Sequence, residues 1–119
     1  MRYLSNLPSR TLVLIVITAT LMSCTPAAKK ARYAERGDRY FKAGQYDKAK
    51  IEYMNVLQID QRDASAFARL GAMWLEDGAP LRAGGFLLKA VELAPNDIDS
   101  RSKLARVYLL MGQIGRAHV

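Results

Sequence analysis

The residue types that most often carry catalysis or bind metals are scarce in this chain. It has one cysteine, Cys24, and one histidine, His118. A zinc site needs several such ligands, and a nucleophilic triad needs a histidine beside its nucleophile, so neither can be assembled. The acidic pair Glu76 and Asp77 stands just before Gly78, which is typical of a solvated helix end. We therefore predict that the chain is not an enzyme, holds no cofactor or metal and has no small-molecule substrate.

Cys24 follows a segment with the features of a secretory signal peptide. Arg2 and Arg10 give it a positive start, and residues 12–22 form an eleven-residue, mostly apolar run. Eleven helical residues rise only about 16 Å, which is too little for a hydrocarbon core of about 30 Å. A free reactive thiol is a liability in an exported protein, so a modified Cys24 is favoured over a free thiol or a buried apolar residue.

The sequence Leu-Met-Ser-Cys at residues 21–24 resembles a bacterial lipobox. The resemblance implies that a signal peptidase removes residues 1–23 by cutting between Ser23 and Cys24. The sulfur of Cys24 then takes a diacylglyceryl group and the new amino terminus is acylated. Two or three acyl chains anchor a protein firmly, and residues 24–29 form the lipidated tether. Because the next residue is not aspartate, the expected location is the outer membrane of a bacterial cell envelope, facing the periplasm.

Downstream of this segment, small and aromatic residues recur every 34 residues. The recurring sets are Gly37, Gly71 and Ala105; Tyr40, Trp74 and Tyr108; Gly44, Gly78 and Gly112; and Ala49, Ala83 and Ala117. This period, with small residues at fixed offsets, resembles the tetratricopeptide repeat, a helix–turn–helix unit. The resemblance implies an all-α solenoid of antiparallel helix pairs with about two and a half repeats. The repeats are predicted at 30–63, 64–97 and 98–119, and the last is incomplete.

The first helix of each pair is predicted to pack closely at its small residue. At Gly37 and Gly71 a side chain would push the paired helices apart, and Ala105 is the next smallest choice. The aromatic residue three positions later lies on the same face and fills the gap between neighbouring helices. A glycine four residues after that aromatic is expected to end the helix in the left-handed conformation. These glycines are Gly44, Gly78 and Gly112.

The second helix of each pair is predicted to pack through a stripe of small and large residues. The stripe consists of Ala49, Tyr53 and Val56 in the first pair and of Ala83, Leu87 and Ala90 in the second. Pro95 ends the second pair, because proline cannot continue a helix. The helices are therefore expected near residues 31–43, 47–59, 64–77, 81–94 and 98–111.

The positive charge is concentrated near the amino-terminal end of the repeats. Residues 24–50 carry eight basic and three acidic residues, whereas residues 51–119 carry eight of each. An array that binds nucleic acid would need a basic face along its whole length, so we predict no nucleic-acid partner. A basic segment beside the tether suits an anionic membrane surface, and a solvated helix face is the alternative. Within this segment, Arg36 departs from the family, which usually has leucine there.

In this family, the first helices of successive repeats line a concave groove that binds other proteins. The positions that the resemblance assigns to the groove are Asp38, Phe41, Lys42, Ala72, Leu75, Glu76, Arg106 and Leu109. They lack the lysine, asparagine and arginine set with which the family clamps chaperone carboxy-termini. Phe41, Leu75 and Leu109 instead predict an apolar stripe on which a helix or an extended segment could dock. The alternative is that these three residues pack against further repeats.

The prediction that follows is a lipid-anchored scaffold that holds protein partners at the bacterial cell envelope. Two alternatives stay open. The repeats could be the non-catalytic amino-terminal arm of a larger envelope enzyme, because the third repeat stops after one helix, as in a truncated chain. The chain could also be an intracellular adaptor with an uncleaved anchor. Residues 114–119 resemble a translated sequencing adapter, although Ala117 matches the repeat, and they take no part in the functional prediction.

Overall fold

The fold is a stack of helix hairpins. The computed structural model describes residues 8–11, 13–14 and 25–117. The helices within residues 25–117 are α1 (Pro26–Lys42), α2 (Tyr46–Ile59), α3 (Ala64–Glu76), α4 (Pro80–Leu93) and α5 (Ile98–Ala117). Each packs on the next along the chain, most extensively within the α1–α2 and α3–α4 hairpins. The described residues contain no strand, so the predicted all-α class is confirmed.

The first helix begins earlier than the repeat pattern predicts. The Thr25 hydroxyl oxygen accepts a hydrogen bond from the Ala28 amide at 3.2 Å, and Pro26 occupies the first turn. A threonine cap followed by proline is a favourable helix start, because the cap satisfies an amide that has no partner within the helix. The helix therefore begins at Pro26 rather than near residue 31, and it includes most of the segment predicted as a tether at residues 24–29.

Two glycines turn the chain between the helices of a pair. Gly44 has a φ of 71° and Gly78 has a φ of 69°, a left-handed conformation that favours glycine. The structure corrects the same prediction for Gly112, because α5 continues through it to Ala117. After the first two glycines a second helix packs back on the first, whereas no such helix follows α5 within residues 25–117.

The core is built from the second helices and the faces they cover. One cluster joins α2 to α3 and contains Ala49, Tyr53, Val56, Ala66, Leu70 and Met73. The other joins α3, α4 and α5 and contains Leu75, Ala83, Leu87, Leu104 and Val107. Pro95 lies in the turn that separates α4 from α5. The two clusters follow one another along the stack, so each repeat depends on its neighbour for burial.

The aromatic residues of the 34-residue pattern differ in burial. Tyr40 and Trp74 are half-buried, and two cations lie over the Trp74 ring. The Lys50 Nζ is 4.0 Å and the Arg82 Cζ 4.8 Å from the ring centroid. Tyr108 is instead 61% exposed. The expectations that Tyr108 fills a gap between helices and that Ala105 packs closely against a second helix are therefore corrected, because both residues are exposed and no described helix covers that face of α5.

Candidate binding groove

A groove runs along the first helices of the three repeats. It has a volume of about 660 Å³ and is lined by side chains of α1, α3, α5 and the turn before α5. The lining residues are Phe41, Ala64, Ser65, Ala68, Arg69, Ala72, Ala94, Asp97, Asp99 and Lys103. Two of the predicted groove positions, Phe41 and Ala72, are among them. The groove is therefore large enough to accommodate a segment of another chain.

Alanine side chains form the floor of this groove. Ala64, Ala68 and Ala72 are spaced four residues apart along α3, so they share one face of the helix. Phe41 lies beside this floor, and its ring centroid is 5.5 Å from that of Tyr46. Small side chains let a partner approach the α3 backbone closely, while Phe41 offers a large apolar contact.

Arg69 is held at one wall of the groove by residues of the preceding hairpin. Its Nη2 lies 3.3 Å from the Asp38 Oδ1, and its guanidinium carbon is 5.1 Å from the Phe41 ring centroid. The Tyr53 hydroxyl donates a hydrogen bond to the same Asp38 oxygen. Burial, reinforced by this bond, raises the pKa of Tyr53, so the phenol stays protonated and keeps donating. Because a guanidinium has five N–H donors, Arg69 retains donors for a partner carbonyl or carboxylate.

The opposite wall carries charges of both signs. The Lys103 Nζ forms an ion pair with Asp99 on α5. Asp97 accepts a hydrogen bond from the Ser100 hydroxyl, and this bond holds the pKa of Asp97 below its usual range. Asp97, Asp99 and Lys103 therefore line the same groove as Arg69 and the alanine floor. A partner that fits this groove needs charges of both signs flanking an apolar segment.

The structure corrects the predicted apolar stripe. Leu75 is only 8% exposed, because it lies in the core cluster with Leu104 and Val107 of α5. Leu109 is 70% exposed but does not line the groove. Phe41 is therefore the one member of the predicted stripe that a partner can contact there. The other exposed predicted positions outside the groove lining are Lys42, Glu76 and Arg106.

The remaining predicted chemistry lies mostly outside the described residues. Ser23 and Cys24, the predicted cleavage and acylation positions, are not among them, and neither is His118. Within the part of the chain that is described, no helix combines the length and apolar character needed to cross a membrane. The same part has no cluster of three or more His, Cys, Asp or Glu side chains placed to bind a metal ion.

Comparison with known families agrees with the arrangement of the helices. The model of the tetratricopeptide repeat family matches residues 86–119. The helix stack is therefore similar to an array of tetratricopeptide repeats. In this setting, α1 and α2 form the first repeat, α3 and α4 the second, and α5 the first helix of the third. The matched range covers the last turns of α4, all of α5 and the tail at residues 114–119.

The curated relatives that this chain matches are much longer proteins. Superkiller complex protein 3 of Mus musculus is 29% identical over 104 residues, which are 87% of this chain and 7% of that protein. The Homo sapiens protein of the same name is 28% identical over 106 residues, or 89% of this chain and 7% of that protein. Tetratricopeptide repeat protein 37 of Xenopus laevis is 27% identical over 99 residues, which are 83% of this chain and 6% of that protein. The chain thus spans less than a tenth of the length of these relatives.

Proposed function

We propose that this chain is a lipid-anchored scaffold that holds protein partners at the bacterial cell envelope, in the outer membrane and facing the periplasm. Tetratricopeptide repeats imply a role in protein–protein interaction. The observation that carries the proposal is the groove of about 660 Å³ between α1, α3 and α5. Its alanine floor, the Phe41 contact and the charged walls are features of a peptide-binding surface rather than of a reaction site.

The groove favours a partner segment with one apolar anchor and charges of both signs. The apolar anchor would lie on the alanines of α3 and against Phe41. A carboxylate of the partner would reach Arg69, and a basic group would reach Asp97 or Asp99. Opposite charges placed along one segment fix its direction and register in the groove, which gives specificity more than affinity.

The groove is tested by Ala68→Arg, with Ala105→Arg as the matched control. Ala68 lies on the groove floor, whereas Ala105 is exposed on α5 and does not line the groove. Arginine is a good helix former, so both variants should keep the helix content of the parent chain. We expect Ala68→Arg to lose co-purification of envelope partners and Ala105→Arg to keep it. Equal capture by the two folded variants would remove the groove from the proposal.

A charged substitution at Leu75 is unsuitable for this purpose. Leu75 is 8% exposed and packs in the core, so a charge there would be buried without a partner and would unfold the repeat. Loss of partner capture in such a variant would report unfolding instead of groove contact.

The anchor part of the proposal is supported by the lipobox-like residues 21–24 and the basic segment that follows them. The test is metabolic labelling with palmitate in a Gram-negative host, followed by separation of inner and outer membranes. Cys24→Ala should lose the label and leave the outer-membrane fraction, whereas Thr25→Ala, as the control, should keep both. Labelling of Cys24→Ala at the level of the parent chain would remove the lipid anchor, and label confined to the inner membrane would remove the outer-membrane location.

A further inference from the structure

The face of α1 that carries Arg32 and Arg36 differs in charge from the corresponding face of α3 and α5. In each later repeat, this face packs against the second helix of the repeat before it. Ala66 and Leu70 of α3 are each 1% exposed and lie in the cluster shared with α2. The corresponding residues of α5, Ser100 and Leu104, are 0% and 9% exposed. Small or apolar residues at these positions are therefore what stacking of one repeat on another requires in this chain.

In α1 the corresponding positions are arginines. Arg32 and Arg36 precede Ala66 and Leu70 by 34 residues. Stacking a preceding repeat on this face would bury two guanidinium groups in an apolar seam, which is strongly unfavourable unless each charge is paired. The face is therefore not built like the seams between the later repeats, and its chemistry favours an anionic occupant.

The arginines of α1 belong to a shaped basic pocket. A cavity of about 360 Å³ is lined by Lys29, Arg32, Tyr33 and Arg36. These residues stand at positions i, i+3, i+4 and i+7, so they share one face of the helix. The Lys29 Nζ is 5.9 Å and the Arg36 Cζ 5.0 Å from the Tyr33 ring centroid. Two cations thus lie over one aromatic ring, Arg32 is the third basic residue of the lining, and no carboxylate is among the lining residues.

Contacts with the second helix orient the pocket. The Arg36 Nη2 lies 3.0 Å from the Glu52 Oε2 of α2, an ion pair that fixes the guanidinium beside Tyr33. α1 carries six basic and two acidic residues, and its other basic ion pairs, Lys30 with Asp60 and Asp63 and Arg39 with Glu35, lie outside the pocket lining. A pocket lined by three basic side chains, one of them fixed in place, is suited to an anion with several oxygen atoms.

We propose that this pocket binds the phosphate group of an anionic phospholipid at the membrane surface. Guanidinium groups bind phosphate oxygens bidentately, and lysine adds a point charge. Tyr33 and the aliphatic stems of the basic residues provide an apolar body that suits the membrane interface. The choice of lipid rests on the proposed function, because acylation at Cys24 would hold Lys29, five residues later, within about 17 Å of the anchor.

The test measures vesicle binding by two matched triple variants of the full chain. Both carry Cys24→Ser, so that binding does not require acylation and the outcome is separable from that of the anchor. One adds Lys29→Ala and Arg32→Ala, and the other adds Arg101→Ala and Arg106→Ala. The two pairs remove the same charge, and the second pair is exposed on α5. Partitioning is measured by flotation with phosphatidylcholine vesicles, with and without phosphatidylglycerol.

We expect the phosphatidylglycerol-dependent part of binding to fall with the first variant. Each basic residue near an anionic surface contributes about fivefold to partitioning, so two residues contribute about 25-fold. The control should change by no more than about twofold, since charges beyond the Debye length of the surface are screened. An equal loss in the two variants would overturn the pocket. Binding without any dependence on phosphatidylglycerol would overturn the lipid and point to an acidic protein as the occupant.

A second measurement separates a lipid headgroup from a free phosphate. Inorganic phosphate is titrated into the Cys24→Ser chain in a calorimeter, with chloride at the same ionic strength as the reference. We expect weak binding that is lost with Lys29→Ala and Arg32→Ala, and vesicle binding that persists in the presence of phosphate. Displacement from the vesicles by inorganic phosphate, but not by chloride, would assign the pocket to a free phosphate and overturn the lipid proposal.

Discussion

Replacing Gly71 with alanine should weaken the α3–α4 hairpin, whereas the same change at Gly85 should strengthen it. A Cβ on Gly71 would lie 2.5 Å from the Leu87 Cγ and 2.8 Å from its Cδ2. The backbone nitrogen of Leu87 would be only 3.2 Å away, so rotating the side chain would not relieve the contact. Leu87 is fully buried, and the helices would have to move apart. Gly85 has no atom within 4 Å of its Cβ position.

The two substitutions share one favourable contribution and differ in packing. In a helix interior, alanine is more favourable than glycine by about 1 kcal/mol. Overpacking a tight core contact costs about 1–3 kcal/mol, and the rigid neighbour at Gly71 points to the upper part of that range. We therefore expect Gly71→Ala to lower the free energy of unfolding by about 1–2 kcal/mol once the gain in helix propensity has been subtracted from the packing cost. Gly85→Ala should raise it by about 0.5–1 kcal/mol.

The assay is urea unfolding followed by circular dichroism and by the fluorescence of Trp74, the single tryptophan. Each kcal/mol corresponds to a shift of the melting temperature of about 4–8 °C in a domain of this size, so thermal melts give an independent reading. The decisive result is the sign of the difference between the two variants. A Gly71→Ala chain as stable as the parent, or a destabilised Gly85→Ala chain, would refute the packing argument.

Substitutions at three further residues test contacts between helices and the cap of one helix. Lys50→Met should lower stability to urea by about 1–2 kcal/mol, because it removes a cation 4.0 Å from the Trp74 ring centroid and the ion pairs of Lys50 with Asp47 and Asp77; an unchanged midpoint would contradict this. Burial raises the pKa of Tyr53 above the unfolded value of about 10, so its contribution is complete below that pH and is lost as pH rises further. Melts of Tyr53→Phe should therefore show a smaller alkaline loss than the parent, and identical pH profiles would count against this. Asp63→Ala should cost about 1 kcal/mol by removing the α3 cap, and Asp63→Asn, which keeps an acceptor oxygen, should cost less in the same melts.

The helix stack could be predicted from the sequence because its constraints repeat at fixed spacing. Gly71 must face Leu87 at close range, and only the smallest residue satisfies that contact. Gly44 and Gly78 adopt the left-handed conformation that ends a first helix. Such requirements restrict which residue type each position accepts, so they can be recognised from the sequence alone.

The groove was less accessible to sequence reasoning, because its lining depends on contacts between repeats. Leu75 occupies a predicted groove position, yet α5 covers it and places it in the core. Arg69 was missed because its position follows from Asp38, 31 residues earlier in the chain, which pairs with it across α1 and α3. Residue types alone do not show which side of a first helix the next repeat will cover.

The predicted and observed ends of the helices differ at two positions, the start of α1 and Gly112 in α5. Thr25 and Pro26 are residues that favour a helix start. α1 begins there, although the sequence analysis predicts a tether at residues 24–29. At Gly112 the reverse holds, since the residue type suggested a helix end and α5 continues. In the described residues, the two glycines that adopt the left-handed conformation, Gly44 and Gly78, are each followed by a helix that folds back and packs.

The central claim, that the groove between α1, α3 and α5 contacts protein partners, is tested most directly by site-specific photocrosslinking in cells. A photoreactive residue is placed at Ser65, which is exposed within the groove, or at Ile51, which is exposed on α2 and outside the groove lining. The account predicts discrete protein adducts from Ser65 that disappear when Ala68→Arg is added, and none of these adducts from Ile51. The same adducts from both positions, or adducts from Ser65 that persist with Ala68→Arg, would contradict it.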